Sequence, residues 1–279
     1  MKKLIQRLAV FFAGVPLTVF IVAGLPQKNQ LAANAVIVLL SALGALEFAG
    51  MLNKRRVVIA PAEAAVLGGL APLAETLTVS FGMGAWLSPA ALIAGACWTL
   101  LRRMFVLPMG LSYLTAGLSA LFYPGLFMSW FVRMGLFPSP QWVMLLFLII
   151  VIVNDSAAWA AGMLWGKGNQ GIVPVSPNKS IAGFIGGFAA STLAGLGAVC
   201  GFPAVFRSVA LPSPLAGLIL GSVTGAAAAL GDLAESAMKR GADIKDSGSL
   251  IPGRGGVLDS IDSIALAAPV FYGLYRLLF

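Results

Sequence analysis

Ten carboxylates are all that this 279-residue chain carries, and six of them fall between residues 232 and 262: Asp232, Glu235, Asp243, Asp246, Asp259 and Asp262. Asp232, Glu235, Ser236 and Lys239 follow one another at i, i+3, i+4 and i+7, which puts them on one face of a helix. Asp259 and Asp262 repeat the i, i+3 spacing at the start of the last apolar run. Between the two acidic helix ends runs a connection holding Lys245, Asp246, Arg254 and the glycines Gly248, Gly253, Gly255 and Gly256. Carboxylates this close repel one another unless a cation stands among them. Oxygen ligands without imidazole or thiolate suit Mg²⁺, which takes one or two carboxylates plus substrate phosphates. Lys239, Arg240, Lys245 and Arg254 supply positive charge for a polyphosphate. Glycines allow backbone N–H groups to approach phosphate oxygens closely. The chemistry that needs all of these together is phosphoryl or nucleotidyl transfer. Histidine is absent from the chain, so imidazole bases and histidine-ligated zinc are excluded.

The elements that carry these residues belong to a membrane. Apolar residues make up 59% of the chain and charged ones 10%, with a mean hydropathy of +0.94. A soluble domain is about a quarter charged. Apolar runs near 8–26, 31–51, 58–79, 84–101, 108–131, 141–165, 181–203, 213–237 and 259–279 predict about nine spanning helices. The fold class expected is therefore all-α and polytopic, one integral membrane domain over 1–279. Runs of this length also exclude a β-barrel, whose strands alternate polar and apolar residues. Lys2, Lys3 and Arg7 ahead of the first run imitate a signal peptide, but the run is of span length and an uncleaved first helix is expected. Fourteen of the 18 basic residues fall on connections that share a side with the N-terminus, and only Lys28, Arg133, Arg207 and Arg276 fall opposite. The positive-inside rule then places the N-terminus, and the connections at 52–57, 102–103, 166–180 and 240–258, in the cytoplasm. The net charge of +8 follows from this bias and gives no reason to expect nucleic acid as a partner. Cys97 and Cys200 lie far apart in apolar runs and are expected as packed thiols.

The stretch from Ser236 to Asp262 resembles, without a gap, the signature of phosphatidate cytidylyltransferases (CDP-diacylglycerol synthases): Ser236, Lys239 and Arg240, then Lys245 and Asp246, then Pro252 through Gly255 and Gly256 to Asp259 and Asp262. Gly231 and Asp232 are similar to the approach to that signature. Asn154–Asp155 and the Ser176–Pro177–Asn178–Lys179–Ser180 loop are fainter echoes. The motifs lie in 140–279, while 1–135 matches in hydropathy alone. Two positions depart from the pattern: Arg254 stands where the family usually has His, and Ser260 where it has Arg.

The resemblance implies an enzyme that transfers CMP from CTP to phosphatidate, giving CDP-diacylglycerol and pyrophosphate in phospholipid biosynthesis. The implied place is the cytoplasmic face of the cell (inner) membrane. It implies catalysis by Asp232, Asp259, Asp262 and Lys239, with the three aspartates holding Mg²⁺; the number of acids leaves room for a second cation. It implies nucleotide binding by Ser236, Lys239, Arg240, Lys245, Asp246, Arg254, Gly255 and Gly256. Asp155, Ser176 and Lys179 would meet the lipid phosphate or shape the site. A homodimer is compatible with this reading. An ion transporter using Asp155, Asp232 and Glu235 is the non-enzymatic alternative, and a related CTP-using enzyme of another lipid is the enzymatic one. Glu47 is read as a helix-end charge at a place where the family also tends to carry an acid, and Glu63 and Glu75 as interfacial charges.

Overall fold

The computed structural model describes residues 2–57, 59–102 and 111–279, with the side chains of 2–5, 7 and 8 outside that description. Lys2, Lys3 and Arg7 as side chains, Arg103, and positions 58 and 108–110 of two expected spans thus lie outside the described residues. Ten α-helices follow in order: α1 (Lys2–Val19), α2 (Gln27–Lys54), α3 (Pro61–Phe81), α4 (Leu87–Leu101), α5 (Leu111–Ala120), α6 (Phe127–Arg133), α7 (Pro140–Trp165), α8 (Ile181–Gly201), α9 (Ser213–Gly241) and α10 (Leu258–Leu278). A π-helical stretch, Leu121–Leu126, with Pro124 inside it, joins α5 to α6. Among the described residues the only β pairing is two isolated bridges.

Each of the nine expected runs coincides with a helical segment, and among the described residues seven of these are long and apolar enough to cross a membrane. Ala9–Gly24 and Leu87–Leu101 are shorter. At a rise of about 1.5 Å per residue, the 15 residues of α4 reach about 22 Å, less than a hydrocarbon core of about 30 Å.

The chain divides into two units, neither continuous in sequence. The first is 1–141 with 241–261, and the second is 142–240 with 262–279. The connection that holds the basic, glycine-rich signature thus packs with the N-terminal half, where no motif was expected.

In the first unit, small residues bring helices together, as lipid-embedded packing requires. A Cβ on Gly68 of α3 would run into Ala45 of α2, and one on Gly125 would come 3.1 Å from the Gly68 carbonyl. α3 starts with Pro61 at its first turn and stops at Gly82, whose φ of +69° suits glycine. In the second unit the same device joins α8 to α9: a Cβ on Gly195 would stand 2.8 Å from the Gly221 backbone, and one on Gly217 would stand 2.8 Å from the Gly195 carbonyl. Phe147 of α7 packs against Phe271 of α10 with ring centroids 5.2 Å apart.

Candidate functional site

In the second unit the charged residues gather on α9. Lys179 Nζ lies 2.7 Å from an Asp232 carboxylate oxygen. One turn on, Ser236 Oγ donates to Asp232 Oδ1 at 3.5 Å, a long contact. Glu235, wholly buried, pairs with Lys239 four residues later. Asp262, 8% exposed, stands within electrostatic reach of Asp232, Asp155 and Lys239. A charge at mid-helix in a bilayer costs at least about 2.5–3.5 kcal/mol, so each of these groups requires a partner, and the partners are one another.

Local structure explains how Lys179 comes to Asp232. The 166–180 connection is closed on itself by Ile181 N–H to Asn169 O at 3.0 Å and Gly171 N–H to Lys179 O at 3.3 Å. Ser180 then caps α8, accepting from Gly183 N–H at 3.1 Å. Lys179 is the residue before that cap, so its backbone is fixed on both sides. Gly231 lets α9 approach α10: a Cβ there would meet the Asp262 carbonyl at 2.5 Å. Ser176 is half-buried in the same connection and donates its N–H to Val173 O.

In the first unit the 241–258 connection folds around carboxylates of its own. Ser247 N–H and Gly256 N–H donate to Asp259 Oδ2 at 2.9 and 2.7 Å, and Ser247 Oγ lies 2.9 Å from the same oxygen. Gly255 N–H goes to Ile251 O at 3.0 Å. The N–H groups of Gly255 and Gly256, expected to face phosphate, are thus engaged within the loop. Gly253 and Gly255 have φ of +76° and +112°, which accounts for glycine at both. Lys245, Asp246 and Arg254 are exposed, and so is Arg240 at the end of α9. Ser260 donates to Gly256 O at 3.3 Å, a bond to the carbonyl four residues back. Asp259 and Asp262, read alike from sequence, therefore differ: Asp259 serves the loop, while Asp262 faces other charges.

Three glutamates that sequence reasoning left without a role hold the first unit. Glu47 of α2 accepts Val257 N–H and Leu258 N–H at 3.0 and 2.9 Å and the Ser247 hydroxyl at 3.0 Å. Glu63 of α3 accepts from Trp98 Nε1 at 2.7 Å, Tyr113 OH at 2.5 Å and Arg102 Nε at 3.0 Å. Glu75, 2% exposed, takes Arg133 Nε at 2.9 Å and the Ser88 hydroxyl. Acidic residues inside predicted apolar helices were a signal for all three, and the family's tendency to carry an acid at the place of Glu47 was a second signal for that one. Beside Glu47, a cavity of about 440 Å³ is lined by Leu43, Leu46, Glu47, Gly248, Ser249 and Leu250. Cys97 and Cys200 are both exposed free thiols, not packed ones; in a lipid-facing helix an outward side chain still meets an apolar surrounding.

Among the described residues no three acidic or cysteine side chains converge closely enough to hold a cation unaided. The donor set is nonetheless all oxygen, and Mg²⁺ ordinarily completes its shell with water and substrate phosphate. Asp232 and Asp262 fit that partial role.

The fold and its charges define a class: an all-α membrane protein with acidic and lysine side chains paired on its helices and a basic, glycine-rich connection. The cytidylyltransferase family model matches residues 5–278, and the chain belongs to that family. It is 38% identical over 133 residues to a phosphatidate cytidylyltransferase of Synechocystis sp., a match covering 45% of this chain and 42% of the relative. With the Bacillus subtilis phosphatidate cytidylyltransferase the identity is 37% over 132 residues, covering 46% and 45%. The uncharacterized protein YnbB of Escherichia coli is 40% identical over 137 residues, covering 48% and 42%. The chain thus spans less than half the length of the curated relatives it matches.

Proposed function

We propose that this protein transfers CMP from CTP to phosphatidate, with a divalent cation, at the cytoplasmic face of the cell (inner) membrane. The observation that carries the reading is the set of charges in the second unit: Lys179 on Asp232, Lys239 on Glu235, and Asp262 within electrostatic reach of Asp232. These residues coincide with the motifs that resemble the family.

The chemistry asks little proton transfer of the protein. A phosphomonoester has its second pKa near 6, so the attacking oxygen of phosphatidate is already anionic. That oxygen attacks the α-phosphorus of CTP, the α–β bridging P–O bond breaks, and pyrophosphate leaves. A chain without histidine can do this if it aligns two anions and neutralises their charge. Lys179 and Lys239, each paired with a carboxylate, can turn to phosphate oxygens when the substrates arrive. Lys245 and Arg254 are exposed for the nucleotide's phosphates, and Arg240 adds to them. Of the three aspartates to which the resemblance gives Mg²⁺, Asp232 and Asp262 are the residues that would hold it. The cation would supply neutralisation of charge on the phosphoryl oxygens.

The test is purified protein in detergent with radiolabelled CTP and phosphatidate. Label should appear in a CDP-lipid product with Mg²⁺ and vanish in EDTA. No labelled product with any lipid phosphate would overturn the function, and full activity in EDTA would overturn the cation. Cysteine labelling from outside intact cells, on a background without Cys97 and Cys200, should reach position 28 or 207 and not 54 or 245; the reverse would put the CTP site on the wrong side.

A further inference from the structure

We propose that Glu47 is a positioning residue: from α2 it holds the 241–258 connection in register, and through Ser247 it sets the place of Asp259 and of the basic residues between. The proposal rests on the cytidylyltransferase reading for its kinetic consequence only.

The N-terminus of a helix leaves its first N–H groups without partners inside the helix. The side chain of the residue just before the helix usually satisfies one of them. At α10 the acceptor comes instead from about 210 residues upstream: Glu47 Oε1 takes Val257 N–H at 3.0 Å, and Oε2 takes Leu258 N–H at 2.9 Å. A carboxylate there also meets the positive end of the helix dipole. Oε2 further accepts the Ser247 hydroxyl at 3.0 Å. Ser247 Oγ lies 2.9 Å from Asp259 Oδ2 and accepts Asp259 N–H at 3.3 Å, so it is the joint between the two acids. Glu47 therefore grips both ends of the segment containing Gly248 through Gly256. Arg55, the residue after α2, adds a second tether, 2.5 Å from Asp243.

An independent observation marks the same carboxylate. Gly248 and Gly256 do not have the positive φ that accounts for Gly253 and Gly255. What excludes a side chain at each is Glu47: a Cβ on Gly248 would collide with Oε1, and a Cβ on Gly256 with Oε2 and with Ser247 Oγ. Two of the signature's glycines are thus glycine to make room for an acid on α2. A helix cap alone would not need that enclosure, nor the Ser247 joint.

The experiment uses the full chain with Cys97 and Cys200 replaced by Ser and Ser249→Cys as reporter, because Ser249 is exposed and lies between the two grips. Glu47→Gln keeps one acceptor and turns an NH₂ toward a backbone N–H. Maleimide labelling at position 249 should then rise about fivefold or more, as expected for losing a charge-assisted hydrogen bond. The KM for CTP should rise about tenfold, with the KM for phosphatidate unchanged. A purely structural role would instead lower the yield of folded protein and leave both constants alone. Gly248→Ala offers a second route to the same carboxylate. It should raise labelling on its own and add nothing in the Glu47→Ala background, since the obstructing atoms are then gone. Unchanged labelling in Glu47→Gln, or an undiminished Gly248→Ala effect in the Glu47→Ala background, overturns the proposal. Raised labelling in a protein that never uses CTP would uphold the positioning and refute the function.

Discussion

The carboxylates of the first unit and those of the second solve the same problem in opposite ways. Glu47, Glu63 and Glu75 each sit on a membrane helix and are met by two or three donors from other segments, mostly backbone N–H, hydroxyl, indole and guanidinium groups. Asp232 and Glu235 are each met by a lysine, and Asp262 lies within electrostatic reach of Asp232 and Lys239. A fixed donor set ties an acid to its neighbours and leaves little for a substrate. Lysine, a mobile point charge, can turn from the carboxylate to an arriving phosphate. One residue type thus makes a clamp in one place and a reactive environment in another, and its partners decide which.

The largest effect that would sharpen this contrast is at the second unit's aspartates. Asp232→Asn or Asp262→Asn preserves shape and removes charge, so turnover should fall by about 10²–10³, the range seen when one preorganised electrostatic contact is lost. Membrane insertion and thermal stability should hold. Retention of more than half the activity in both variants would place these residues among the clamps.

Next is Glu75, where the converse is expected. Glu75→Leu leaves Arg133 facing a vacancy, and removing one partner of a buried pair costs about 3–5 kcal/mol. The melting temperature in detergent should drop while turnover per folded molecule stays near wild type. Adding Arg133→Met should recover much of the loss. A double variant no more stable than the single would mean that the pair is not what Glu75 contributes.

Lys179 falls between the two groups. Lys179→Met should lower kcat/KM for phosphatidate about tenfold, and Lys179→Arg should keep most of it, because the group is 22% exposed and its charge is partly screened. Equal loss in both variants would mean that the compact ammonium, not the charge, is required.

The sequence made the second unit legible because its chemistry lies at helix spacings. Asp232, Glu235, Ser236 and Lys239 announce a shared face, and a run of about 20 apolar residues announces a span. Glu47 was opaque for a physical reason. Its partners are the N–H groups of Val257 and Leu258, which every residue but proline possesses, so no pattern of side chains could reveal them. The same blindness hid the difference between Asp259 and Asp262, which depends on where Ser247 and Gly256 point their donors. The nine runs were readable; that the signature's connection packs with the N-terminal half was not, because association between distant segments leaves no local periodicity.

The smallest effect is expected at Glu63, and it tests whether a clamp needs its charge at all. Its Oε1 accepts an indole, a phenol and a guanidinium, and two of those three donors are neutral. An amide oxygen can replace a carboxylate oxygen toward neutral donors, so Glu63→Gln should keep the bonds to Trp98 and Tyr113. What it loses is the pairing with Arg102, whose side chain is 48% exposed and already lies over the Trp98 ring at 5.3 Å. Exposed pairs contribute about 0.2–1 kcal/mol, and that sum is screened by salt. Glu63→Gln should therefore shift the melting temperature by a few degrees at most, with the shift shrinking in high salt and turnover unchanged. Glu63→Ala removes all three acceptor contacts and should cost clearly more, independent of salt. If the two variants lose the same stability, the carboxylate's charge is what joins α3 to α4 and α5, and the distinction between clamp and reactive acid would rest on something other than the neutrality of the donors.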